Sequence, residues 1–205
     1  MKRTGGTYVV LALILLGLLI GAMYMLSRGF SARDEPTGAE AFLAQRLRRL
    51  AIPTGARQLA NPVQASPEVM SHAMEHFADH CALCHGNDGR GMTLIGRGLY
   101  PKPPDMTEGS TQELTDGEIY YIIENGVRFT GMPAFGEEPD NDEDTESWEL
   151  VHFIRHLPKM TDEEAAQMKT MNPKSPMELE REERMRKFLQ GEDTPPAENN
   201  HEHHH

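Results

Sequence analysis

An all-α fold is what this 205-residue sequence predicts, and three observations carry the prediction. Helix-start signals recur at Ser66-Pro67, Thr115 with Glu118, Thr161 with Glu164, and Ser175-Pro176 with Glu178. In each, a short polar side chain can accept an amide of the first turn that has no partner inside the helix. Apolar residues then repeat at helical spacing, as in Trp148, Val151, Ile154 and Leu157. No run alternates apolar and polar side chains as a half-buried strand would.

The first element is TYVVLALILLGLLIGAMYML, Thr7 to Leu26, 20 residues without a charge. That length crosses a hydrocarbon core as a helix and is about twice a signal-peptide apolar region. Residues 1–27 are therefore expected to be an uncleaved transmembrane anchor, with no cysteine after it to carry a lipid. Charge does not orient it, because Lys2 and Arg3 precede the span while Arg28 and Arg33 follow.

Residues 28–66 read as a linker with one short amphipathic helix, in which Leu43, Leu47 and Leu50 share a face beside Arg46, Arg48 and Arg49. Such a helix could rest on lipid headgroups, on the main domain, or in solvent. The compact domain is expected over residues 67–158. Its first helix runs from Pro67 into FADHCALCHG and places Ala73, Phe77, Cys81 and Cys84 near one face. Thr115 opens the helix EIYYIIEN and Gly126 closes it, while Pro158 stops the last helix. Residues 159–191 form a Glu-, Arg- and Met-rich helical extension, and the His-rich tail 192–205 is expected to be disordered.

Formal charge is −12 overall, and residues 67–158 hold 5 Lys and Arg against 18 Asp and Glu, so the acidity lies in this segment. Nucleic acid is an unfavourable partner for such a surface. Eight of these carboxylates fall between Glu137 and Glu149, a patch that would speed encounter with a basic partner or simply keep the loop solvated. Asp140, Asp142 and Asp144 suggest a calcium loop, but Thr145 and Val151 stand where Gly and Glu are needed.

Cys81 and Cys84 are the two cysteines of the whole sequence, and His85 follows directly. A disulfide, a redox dithiol, half a zinc site and two attachment points for a vinyl-bearing haem all use paired thiols. Zinc wants a second pair of ligands, and a thioredoxin-like dithiol wants a βαβ setting. On one helical turn two thioethers can hold a porphyrin edge while the next imidazole faces the iron, so C-x-x-C-H points to one covalent haem c.

Three blocks, AMEHFADHCALCHG, DGEIYYIIENGVRFTGMPAFG and ESWELVHFIRHLP, resemble the mono-haem class I c-type cytochromes, a membrane-anchored version here. The resemblance implies that fold for residues 67–158, with His85 and Met132 as axial iron ligands and Cys81 and Cys84 as haem thioethers. It also implies a helix crossing at Ala73 and Phe153, where the family usually has Gly in place of Ala. Gly131 and Pro133 would hold the Met132 turn tightly, which favours it over Met92 and Met106 among 13 methionines. The family uses a proline carbonyl for the proximal imidazole, and Pro101, Pro103 and Pro104 all qualify. Tyr100, Ile122, Ile123, Val127 and Phe135 are expected haem walls. Arg97 and Arg128 are candidate propionate contacts, with plain surface arginines as the alternative.

This family attaches haem outside the cytoplasm, which would put the N-terminus inside and the domain on the periplasmic side of the inner membrane. The expected function is one-electron transfer between a redox donor and acceptor, by a carrier or complex subunit with no catalysis of its own. Two other functions remain open: a sensor in which a small molecule displaces Met132, and a copper-handling protein using the His- and Met-rich C-terminal region. His72, His76 and His80, and His152 and His156, recur at helical spacing that can bind metal but more often marks exposed polar faces. The terminal HEHHH could hold metal weakly, be a purification remnant or be inert.

Overall fold

The protein is described by a computed structural model covering residues 4–29, 31–136 and 144–191. Those residues fold into helices and short helical turns with no strand among them. Helix α1, Thr4–Arg28, contains the stretch Gly6–Ser27, long and apolar enough to cross a membrane and not buried against the rest of the protein. Helix α2, Gly38–Ala51, starts at a capping box that sequence reasoning passed over. Thr37 Oγ1 accepts the Glu40 amide at 3.3 Å, and the Glu40 carboxylate accepts the Thr37 amide at 2.7 Å.

After α2 the chain does not hang free. Ile52 is buried, and a single turn at Ala56–Gln58 lies on the helix that follows Thr115. Gly117 makes that approach possible, since a β-carbon there would strike the Ala56 carbonyl and sit 2.9 Å from the Leu59 side chain. Asn61 Nδ2 donates to the Trp148 carbonyl at 2.9 Å, and His152 Nε2 donates to the Val63 carbonyl at 2.8 Å.

Helix α3, Pro67–His76, begins with Ser66 Oγ accepting the Val69 amide and Pro67 at the position where a missing N–H costs nothing. A five-residue π turn, Phe77–Cys81, joins it to the one-turn α4, Ala82–His85. Helix α5 is Gly109–Gln112, α6 is Asp116–Asn125 and α7 is Thr145–His156. The core forms where α3 crosses α7, with α6 packed alongside. Ala73, Val151 and Phe153 are wholly buried there, as the small-against-aromatic crossing requires. Phe77 meets Phe153 edge-on with centroids 4.9 Å apart, and Tyr120 stacks on Trp148 at 4.0 Å. Rings buried in this way contribute about 2–3 kcal/mol each.

Arg155 on α7 ties the α5–α6 connection. Its guanidinium donates to Asp116 Oδ1 and the Gln112 carbonyl, each at 2.8 Å, and to the Leu114 carbonyl. The extension divides into two unlike helices. Helix α8, Asp162–Met171, inserts the fully buried Met168 against α3 and the π turn. Helix α9, Pro176–Leu189, buries no residue.

Candidate functional site

The helix expected to run straight from Pro67 through both cysteines changes pitch at the π turn. Ala73 and Phe77 stay in the core, but the wider turn rotates Cys81 and Cys84 to half-buried positions at its edge. Such π turns often mark functional sites because they re-aim the side chains that follow. Neither cysteine is in a disulfide. Burial, with Cys84 beside it, pushes the Cys81 thiol up to about 12, opposite to the lowered thiol of a redox dithiol.

His85 is 8% exposed, and burial pushes its imidazole down to about 4, so the ring is neutral at physiological pH. Its Nδ1 is buried with no hydrogen-bond partner. A neutral imidazole is the ligating form. The expected bond from the imidazole to a proline carbonyl is not made, although Pro103 lies close by: a β-carbon on Gly91, whose amide donates to the His85 carbonyl at 2.6 Å, would lie 2.8 Å from the Pro103 carbonyl oxygen.

A loop then folds back under the cysteine turn. Thr93 Oγ1 lies 2.8 Å from the Leu83 carbonyl and accepts the Gly96 amide at 2.8 Å, a role no sequence signal announced. Gly96 has no room for a side chain, because a β-carbon would strike the Cys84 and Gly91 carbonyls. Three residues on, Leu99 reaches Gly131, where a β-carbon would lie 2.7 Å from Leu99 Cδ2. Contacts thus run from Cys84 to the residue before Met132.

The Met132 turn is built on the end of α6. Gly126 closes that helix at φ 63° and lies so close to Pro133 that a β-carbon would sit 2.5 Å from its carbonyl carbon. The Val127 amide donates to the Met132 carbonyl at 3.2 Å, and the Met132 amide donates to Thr130 Oγ1 at 3.1 Å. Phe135 and Gly136 donate their amides to the Ile123 and Glu124 carbonyls, each at 3.1 Å. Met132 is half-buried in this braced turn. Its rivals are placed differently: Met106 lies in the hydrophobic core and Met92 is 68% exposed.

The expected walls separate into groups. Ile123 is buried, and Ile122 and Phe135 pack against the core from its margin. Val127 is half-buried within the Met132 turn. Tyr100 is 41% exposed, and partial burial, with the Glu40 charge at the start of α2 nearby, pushes its ionisation up. Arg97 and Arg128 are exposed. Lys102, which sequence reasoning did not single out, donates to the Arg97 carbonyl at 2.8 Å and to the Ala32 carbonyl at 3.1 Å.

Four of the five helical histidines take carboxylates as neighbours, and His152 bonds the Val63 carbonyl instead. His76 Nδ1 lies 3.3 Å from Glu146, His72 Nδ1 4.0 Å from Glu149, and His156 Nε2 2.9 Å from Glu164. Among the described residues no three His, Cys, Asp or Glu side chains gather as a metal site would require. Asp144 caps α7, accepting the Glu146 and Ser147 amides at 3.0 and 3.2 Å. Asp140, Asp142, most of the acidic run after Gly136, and the terminal histidines lie outside the described residues.

The residues present fit a covalently held haem. Two unpaired thiols sit one turn apart, a neutral imidazole with a free ring nitrogen follows them, and a braced methionine turn is joined to them through Leu99. Residues 69–154 match the family described as cytochrome c oxidase, cbb3-type, subunit III. No curated protein matches the chain.

Proposed function

We propose, from the premise that residues 69–154 are a c-type cytochrome domain carrying covalently bound haem c, that this protein is a membrane-tethered one-electron carrier. Haem c supplies a ferric/ferrous couple when bound. Cys81 and Cys84 would bond its vinyl carbons, and His85 and Met132 would be the two axial ligands. The observation that carries this reading is the pairing of a neutral, buried His85 with a Met132 turn held by three backbone bonds at the end of α6 and one to the Thr130 hydroxyl. A turn so constrained can keep a thioether in place in both oxidation states, and a thioether favours the reduced iron. Both axial positions being filled suits electron transfer better than bond chemistry.

Helix α1 would span the cytoplasmic membrane with the N-terminus inside and the domain outside, where haem of this type is attached. Its partners are redox proteins with a basic docking surface, because the domain itself is acidic. The matched family's description makes an oxidase complex the first partner to test.

Optical spectroscopy of the purified holoprotein tests the ligation. A methionine-to-ferric-iron charge-transfer band, and ferrous protein that does not take up carbon monoxide, are the expected results. Substitution Met132→Ala should abolish the band, admit carbon monoxide and lower the potential by on the order of 0.1 V, within the roughly 0.8 V that axial ligands span. Prompt carbon monoxide binding by the unaltered protein would instead make it a ligand sensor.

A further inference from the structure

Helix α2 presents the wrong face to the protein for an ordinary packed helix. Arg48, on its inward side, donates to the Ser110 carbonyl at 3.2 Å, and burial of this guanidinium pushes its ionisation down. Arg49 lies 3.3 Å from Glu113, also on the α5 side. Phe42, Leu43, Leu47 and Leu50 fall on the opposite stripe, at the spacing that puts side chains over one another, and each is more than half exposed. Arg46 lies within that stripe with its guanidinium 5.1 Å from the Phe42 ring centre. An amphipathic helix that docks by arginines and leaves leucines outward is arranged for an apolar surface on its far side.

We propose that α2 lies in the headgroup boundary of the membrane that α1 enters, with Phe42, Leu43, Leu47 and Leu50 in the acyl region and Arg46 among anionic headgroups. This rests on the reading of α1 as a membrane anchor. Two observations select lipid over a protein as the occupant. Nine residues separate the end of α1 from the start of α2, so the bilayer is within reach of every copy. The intervening segment is also held to the domain, since Lys102 donates to the Ala32 and Arg33 carbonyls at 3.1 and 3.4 Å. The charge agrees: Arg46, within the outward stripe, offers an anionic surface a counter-charge that the acidic domain itself lacks. Because Arg48 and Arg49 hold α2 to the domain, immersion of this stripe sets the tilt of the whole domain on the membrane.

The test uses full-length holoprotein in phosphatidylethanolamine/phosphatidylglycerol vesicles, with single spin labels introduced as Leu47→Cys, Gln45→Cys and Leu15→Cys. Selective labelling is possible because Cys81 and Cys84 are consumed by the haem. Collision with dissolved oxygen should exceed collision with a water-soluble nickel chelate at positions 15 and 47 and fall below it at position 45. An unaltered haem spectrum shows that each variant is folded. Water exposure at 47 with lipid exposure at 15 overturns the inference and leaves the anchor standing; water exposure at both overturns the anchor too. A label at 47 that is wet in pure vesicles but shielded in native membranes assigns the face to a protein partner and also overturns it. Replacing the anionic lipid with phosphatidylcholine should make position 47 shallower, since Arg46 then loses its counter-charge.

Discussion

Gly126 shows how one residue can govern a turn whose methionine lies six positions away. Its backbone, φ 63° and ψ −167°, lies in a region essentially reserved for glycine, costing other residues on the order of 1–3 kcal/mol, and a β-carbon would also strike Pro133. Gly126→Ala should therefore displace the Met132 turn while leaving the helices intact. The charge-transfer band is expected to weaken or vanish with far-ultraviolet circular dichroism unchanged. Arg155 acts instead on stability. Its removal leaves the Gln112 and Leu114 carbonyls and Asp116 without their donor, and chemical denaturation of Arg155→Ala should show a loss of about 2–4 kcal/mol. The two residues differ in how visible they were beforehand. Gly126 follows an apolar helix and precedes a methionine turn, a purely local pattern. Arg155 makes its contacts 39 to 43 positions away and looks like any arginine near a helix end.

The helices were legible where their ends carry their own signals. Ser66, Thr115, Thr161 and Ser175 all cap the helices expected from them, because capping is settled within four residues. The π turn was not legible: straight helical periodicity keeps Ala73, Phe77, Cys81 and Cys84 near one face, and no local signal marks the extra residue of the turn. Nor could sequence show that α8 docks while α9 does not, since both are rich in Glu and Met. Met168 makes the difference, and Met168→Ala should cost about 2–5 kcal/mol and expose α8 to proteolysis. The α8 junction should also respond to acid. The Thr161 amide first, and His156 beside it, hold the Glu164 carboxyl below its ordinary 4.5. A carboxylate lowered on folding adds stability that is complete above the unfolded value and is lost as pH falls through the folded one. Hydrogen exchange along α8 should accordingly speed up below about pH 4.5, and Glu164→Gln should remove that dependence at a cost of about 1 kcal/mol.

At the scale of the whole molecule, charge and attachment act together. The acidity of residues 67–158 predicts that electron exchange with a basic partner slows as salt rises from about 0.01 to 0.15 M, over which the screening length falls from about 30 to 8 Å. Stopped-flow rates that ignore salt would remove the electrostatic docking idea. Which part of the connection from α1 docks was not readable, since Ala56, Asn61 and Val63 acquire their partners from α6 and α7, far along the sequence. Stitched down at these points, residues 52–63 give the domain a short stalk and not a leash. With α1 in a bilayer, such a stalk would restrict how far the redox centre can swing toward distant sites. A carrier so held would travel by lateral diffusion as a whole, and each donor and acceptor would have to offer its own centre at a similar height above the lipid.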